Sequence, residues 1–194
     1  MVCFKIHKMS IYQPSDDSYL MQDSLKKVIL EISKNRETIK ILEIGSGSGT
    51  NLKFLESLKI PKKNIFSCDI NPEAVIQCKD KLEFNCIISD LFQNIPNEEF
   101  DLIFFNPPYL PEEKSQFKDK EPEDSKLATT GGKKGSEIIN KFLKQASSYL
   151  KKEGKILLLT SSLTKDIDWN NWKKRKIATK NLFMEKLYVW ELIQ

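Results

Sequence analysis

Short apolar runs recur along the chain with helix-period stretches between them, and no other feature of the sequence restricts the fold as strongly. Runs of this length, bounded by polar and glycine-containing segments, read as strands. Their alternation with helices calls for a mainly parallel sheet joined by crossovers. Residues 40–44, 64–69, 86–88, 100–105 and 155–160 are the expected strands. Helices are expected over 50–57, over 73–81 with Pro72 at a position where its missing N–H costs little, and over 136–150. The last of these places Ile138, Ile139, Phe142, Leu143, Ala146 and Leu150 on one face. Residues 176–193 read as a hairpin, with a short strand near Ile177 and Ala178, a turn near Lys180 and Asn181, and a final strand over 186–192. That hairpin adds an antiparallel edge to a parallel sheet.

A chain of 194 residues suits one domain of ordinary size. Lys and Arg total 31 against 27 Asp and Glu, and the resulting charge of +4 is too small to demand nucleic acid. Cys3, Cys68, Cys78 and Cys86 form no C-x-x-C pair, so they read as reduced, mostly buried thiols of a cytosolic protein rather than metal ligands. No apolar run approaches the roughly 20 residues of a membrane helix, and the first ten residues lack an apolar signal core. The sole histidine, His7, lies upstream of every motif and reads as a surface or packing residue.

Asn106-Pro107-Pro108-Tyr109 follows the strand over 100–105 directly. Proline has a fixed φ and no N–H to donate, so the chain must leave the sheet at Pro107. What surrounds the break is a carboxamide, backbone carbonyls and an aromatic face, a set that accepts hydrogen bonds from a planar –NH2. A glutamine amide and an exocyclic base amine both fit it.

Glu43-Ile-Gly45-Ser-Gly47-Ser-Gly49 spans the junction of the first strand and first helix. The chain can approach a ligand closely there and aim helix N–H groups at it. Its G-x-G-x-G spacing departs from the dinucleotide fingerprint G-x-G-x-x-G, and a carboxylate at Glu43 repels a pyrophosphate but can anchor an amino group. Asp69, ending the second strand, can accept both hydroxyls of a ribose. Asp90, ending the third, can hold an adenine amine against Leu91. A glycine turn alone can be a tight connection, and lone acids at strand ends are commonly solvated. Converging on one sheet edge beside Asn106, they describe adenosine joined to a cationic amino acid, which is S-adenosyl-L-methionine.

With these motifs the chain resembles the class I S-adenosylmethionine-dependent methyltransferases, and more narrowly the HemK-like glutamine methyltransferases that modify peptide-chain release factors. The segment Tyr12-Gln-Pro14-Ser-Asp16-Asp17-Ser18 is similar to the one that packs over the cofactor in that family. The resemblance implies a Rossmann-like α/β fold with a mainly parallel seven-stranded sheet, a C-terminal antiparallel hairpin and helices on both faces. It implies a single methyltransferase domain over 1–194, with 1–38 as cofactor-covering segment and helix and 39–194 as catalytic core. The implied cofactor residues are Tyr12, Pro14, Asp17, Ser18, Glu43, Gly45, Gly47, Gly49, Asp69, Ile70, Asp90, Leu91 and Asn106. The implied catalytic set is Asn106, Pro107, Pro108 and Tyr109, with no metal.

The layout looks like the stand-alone eukaryotic and archaeal form, which methylates the glutamine of the Gly-Gly-Gln motif in class 1 release factors, with the factor's GTPase partner admitted. That form works with a small zinc-binding activator, implied here to extend the sheet near Cys86-Ile87-Ile88 in a cytoplasmic heterodimer, the nucleus also being admitted. The family often has an aromatic residue before its Gly-Gly pair, whereas Ala128-Thr-Thr-Gly131-Gly132-Lys-Lys-Gly135 keeps the glycines without it. Related tetrapeptides occur in adenine-N6 and guanine-N2 methyltransferases. Trp169-Asn-Asn-Trp172-Lys-Lys-Arg-Lys176 is the best candidate for a nucleic-acid surface, though its plainer reading is a short helix anchored by tryptophans with solvated lysines. A protein-lysine methyltransferase and a non-catalytic cofactor-binding scaffold are the remaining alternatives.

Overall fold

The computed structural model describes residues 10–32, 36–115 and 129–194. His7 and Cys3 lie outside them, as does most of the polar stretch 111–134. In chain order the main elements are α1 (Asp16–Ile32), β1 (Ile41–Ile44), α2 (Thr50–Ser57), β2 (Ile65–Asp69), α3 (Pro72–Ile76), β3 (Asn85–Ile88), β4 (Phe100–Phe105), α4 (Glu112–Ser115), α5 (Glu137–Gln145), β5 (Leu150–Ser161), β6 (Lys173–Leu182) and β7 (Glu185–Ile193). The sheet runs β3-β2-β1-β4-β5-β7-β6. All neighbours are parallel except β7, which is antiparallel to both β5 and β6.

Period-two alternation splits the central strands between two cores. Leu102 and Phe104 of β4, with Leu157 and Leu159 of β5, pack with Met21, Leu25 and Val28 of α1 and Leu52 and Leu55 of α2. Ile103 and Phe105, with Ile156 and Leu158, pack with Ile139, Phe142 and Leu143 of α5. Both faces of the middle strands are buried, which is why those runs read as continuously apolar. Helices therefore lie on both faces, as expected.

Local departures have local causes. Regular α3 ends at Ile76 and continues as a wider π turn, Gln77–Lys81. Asn71 caps it by accepting from the Glu73 N–H at 3.0 Å, with Pro72 at the first turn. The α5 helix tightens into a 3-10 turn, Ala146–Tyr149, so Leu150 opens β5 instead of closing a helix, and β5 starts well before Gly154. The expected hairpin turn at Lys180 and Asn181 is displaced. These residues pair with Leu187 and Lys186 inside an extended β6, and the turn falls at Phe183 and Met184. Asn181 sits without strain on an edge strand, whose outward positions tolerate polar side chains. The short helix expected around Trp169 is replaced by a turn closed by Trp172 N–H to Trp169 O at 3.1 Å. Trp172 is nonetheless an anchor, its buried indole donating to Leu143 O at 3.0 Å.

Candidate active site

A cavity of about 410 Å³ opens where β1, β2, β3 and β4 end. It falls within the range of small-molecule cofactor sites and at the carboxyl edge, where open α/β sheets bind ligands. Tyr12, Asp17, Ser18, Glu43, Gly45, Gly47, Asp69, Ile70, Asp90, Leu91, Asn106, Pro107, Pro108 and Tyr109 all line it. Pro14 and Gly49 do not. Pro14 belongs to the extended lead into α1, from which Tyr12 reaches the wall instead. Gly49 starts α2 facing away from the cavity, against Leu82 and Cys78, where an added Cβ would lie 2.6 Å from Leu82 Cδ1.

Glu43 on β1 is 2% exposed. Its Oε1 accepts from Asn51 Nδ2 at 2.9 Å, and its Oε2 is buried with no hydrogen-bond partner among the described residues. Burial pushes the carboxyl well above the ordinary carboxylate range, and the Asn51 bond offsets only part of that. Asp69 is raised by burial too, yet it is gripped by backbone donors. Gly47 N–H gives 2.8 Å to Oδ2 and Asn71 N–H gives 2.9 Å to Oδ1. The glycine turn is thereby fastened to the end of β2, which sets the distance between loop and strand.

Asn106 follows β4, and its Oδ1 is buried with no hydrogen-bond partner among the described residues. An unmet buried acceptor costs about 1–3 kcal/mol, so this one is held in place by its surroundings. The Tyr109 hydroxyl donates to Asp17 Oδ2 at 3.5 Å, an oxygen that also receives the Tyr12 hydroxyl at 2.7 Å. Burial, then the Asp17 carboxylate, pushes the Tyr109 phenol far up, so it stays a donor. The tetrapeptide is thus tied to α1, and Tyr109 O is tied to Thr164 Oγ1 at 2.9 Å.

Its other flank rests on the glycines near 131–135. Leu110 N–H bonds Thr129 O at 3.1 Å, and Gly131 N–H returns to Leu110 O at 3.0 Å. A Cβ on Gly131 would strike Pro108 O and Gly135 O. One on Gly135, where φ is +79°, would strike Tyr109 O. The glycines that match the family's Gly-Gly pair are therefore the seat on which the tetrapeptide lies.

Sequence reading missed further lining residues. Asn51 was discoverable as a polar residue at a buried turn of α2, eight positions after Glu43. Ser10, Asn71 and Ser89 carried no signal beyond their neighbours'. Ile138 was read only as part of an apolar helix face, and Lys141, one turn later on α5, was not singled out; both line the cavity.

The donor set fits the cofactor expected from the sequence. The unpartnered Glu43 oxygen can accept from an ammonium group, Asp69 and Asp90 stand at the next two strand ends, and Ile70 and Leu91 supply apolar surface. Among the described residues no cluster of three or more His, Cys, Asp or Glu could hold a metal ion, and no helix is long and apolar enough to cross a membrane.

Comparison with known proteins bears on the same point. Residues 35–191 match the family described as "Methyltransferase domain". A relative from Methanocaldococcus jannaschii, described as a protein N5-glutamine methyltransferase, is 40% identical over 167 residues, covering 82% of this chain and 76% of its own. Human methyltransferase HEMK2 is 31% identical over 163 residues, covering 77% and 71%. A release factor glutamine methyltransferase of Koribacter versatilis is 30% identical over 170 residues, covering 78% and 59%. Among solved structures, the ribosomal protein L11 methylase of Lactobacillus delbrueckii subsp. bulgaricus shares the fold at a TM-score of 0.58 with 12% identity, covering 95% of this chain and 82% of its own. The matched family spans the glycine turn, the strand-end acids and the Asn-Pro-Pro-Tyr loop, and the chain belongs to the S-adenosylmethionine-dependent methyltransferases, in the HemK-like group.

Proposed function

We propose that this chain methylates the side-chain amide nitrogen of a glutamine within a protein substrate. The observation that carries the reading is the buried, unpartnered Oδ1 of Asn106 at the end of β4, fixed beside the two prolines. When bound, S-adenosylmethionine supplies a methyl group on a cationic sulfur. Glu43, Asp69 and Asp90 are the residues to hold its amino group, ribose and adenine.

The protein's part in the reaction is positioning. Asn106 Oδ1 and the Pro107 carbonyl accept the two N–H bonds of the incoming amide, which fixes its plane and turns its nitrogen toward the methyl group. Placing a nucleophile in near-attack geometry supplies about 7–11 kcal/mol. The two acceptors also draw positive charge toward themselves as the amide nitrogen becomes cationic, which favours the transition state. The amide nitrogen would take the methyl group, the carbon–sulfur electron pair staying with the departing cofactor, and one amide proton would be lost to solvent. Sulfur leaves neutral, so no general acid is needed.

The Koribacter versatilis relative, a release factor glutamine methyltransferase, supports a release factor as substrate, and the narrower reading takes the acceptor as the glutamine of its Gly-Gly-Gln motif. The same reading pairs the chain with a small zinc-binding activator in the cytoplasm. Support for such a partner is local: β3 is an edge strand, Ile88 at its end is 51% exposed, and Ile70 and Ile76 are also exposed, at 61% and 45%.

The test is transfer of labelled methyl from S-adenosylmethionine to purified release factor, set against DNA and RNA. Label is expected in the factor alone, and is lost when its Gly-Gly-Gln glutamine is replaced. Asn106→Ala is expected to abolish transfer while cofactor binding stays measurable. Normal turnover by that variant, or label in nucleic acid, overturns the reading.

A further inference from the structure

The β6–β7 turn carries two large apolar side chains that the fold does not use. Phe183 is 93% exposed and Met184 is 81% exposed. Two-residue hairpin turns favour Asn, Asp and Gly, yet Met184 takes a left-handed φ of 63° where those residues cost least. Neither backbone geometry nor core packing accounts for this pair.

Its location is specific. Leu182 and Glu185 close the hairpin, and Leu187 of β7 pairs with Ser161 at the carboxyl end of β5, so the turn projects beyond the sheet edge that carries Asn106. The base of the turn is fixed there. Ser161 Oγ donates to Glu185, and Ser162 N–H bonds Lys186 O at 2.8 Å. Lys180 pairs with Asp16 at 2.6 Å, next to the Asp17 that holds Tyr109. Leu182 and Tyr109 pack against one core.

The strand order then decides what passes the turn. The three strand-end acids stand on β1, β2 and β3, and the acceptor loop follows β4. With the cofactor over the first three strands, a macromolecule presenting a side chain to Asn106 has to cover the β4–β5–β7 side, where the turn stands.

We propose that Phe183 and Met184 form a docking knob for the polypeptide that carries the acceptor glutamine, gripping its surface away from the amide itself. Phe offers a large rigid contact and Met an adaptable one, the pairing suited to an apolar cleft on a folded protein. The proposal rests on the protein-glutamine reading above.

The experiment compares the unaltered chain with a Phe183→Ser, Met184→Ser double variant, using intact release factor as substrate. Loss of a buried apolar anchor is expected to raise KM roughly tenfold or more, with kcat and cofactor affinity unchanged, and Phe183→Leu is expected to restore much of the loss. Unchanged KM in the double variant overturns the knob alone. Absence of any transfer by the unaltered chain with cofactor bound overturns the glutamine reading, and the knob with it. Binding of the unaltered chain to phosphatidylserine vesicles that the double variant loses, with KM unmoved, assigns the turn to a membrane surface and also overturns the proposal.

Discussion

At Glu43 a buried carboxyl keeps one oxygen without a hydrogen-bond donor among the described residues. Its folded-state pKa lies above the ordinary 4.5 because burial disfavours the charge. Between 4.5 and that raised value the folded chain keeps a proton the unfolded chain has lost, so stability of the cofactor-free protein falls as pH rises through the window. Glu43→Gln removes this penalty. The cofactor-free variant is expected to melt higher than the parent near neutral pH, with the difference closing as pH drops toward the ordinary carboxylate range. The same change is expected to weaken S-adenosylmethionine binding about tenfold to a hundredfold, since a hydrogen bond to a charged group contributes about 1.5–3 kcal/mol. Calorimetric titration alongside thermal melts checks both halves. Sequence alone could name Glu43, Asp69 and Asp90, because acids at strand ends beside a glycine turn have few other uses as a set. It could not show that Glu43 keeps one oxygen unmet, which depends on Asn51 arriving from α2.

The elements around the tetrapeptide show where a pattern is legible and where it is not. Pro107 and Pro108 announce the end of β4 by their own chemistry, and β4 ends there. Gly131 and Gly135 announce nothing about their partners, since close approach to Pro108 O and Tyr109 O is a fact of the fold. Gly135→Ala is expected to lower kcat by two orders of magnitude or so, because displacement of a reacting group by about 1 Å has that effect. Cofactor affinity is expected to stay within a fewfold of the parent. Titration of bound cofactor beside steady-state rates separates the two. Gly49→Ala, against Leu82 and Cys78, is expected instead to cost about 1–3 kcal/mol of stability by overpacking, read from denaturant midpoints. The hairpin turn was misplaced by reading Asn181 as a turn residue. Edge-strand exposure, which excuses a polar side chain, is a property of the whole sheet and not of the local sequence.

Across the whole molecule the alternation of strands and helices was legible because middle strands buried on both faces must be apolar throughout. The order in which those strands lie, and the docking of α1 across β5, β6 and β7, were not legible, since both depend on contacts between distant segments. That docking is anchored by charge. Glu191 on β7 is 7% exposed, and burial alone would raise its pKa. Lys155 at 2.9 Å and Arg175 at 2.9 Å outweigh burial and hold it below 4.5. A depressed carboxylate contributes stability above its unfolded pKa and loses it as pH falls through the folded one, so acid below about 4.5 is expected to loosen this side of the sheet. Lys155→Ala is expected to cost about 2 kcal/mol at neutral pH, measured by urea denaturation, and less in acid.

Lys155 and Arg175 also reach Glu31, at 3.2 and 3.9 Å, and Lys180 reaches Asp16, so α1 is clasped by strands translated long after it. A ribosome has therefore made every residue that lines the cavity before it makes the strands that α1 needs for docking. Until they emerge, Asp16 and Glu31 of α1 lack the cations that pair with them in the finished fold. A chain stopped short of β6 would hold every cavity-lining residue named above while lacking the Arg175 and Lys180 contacts to α1.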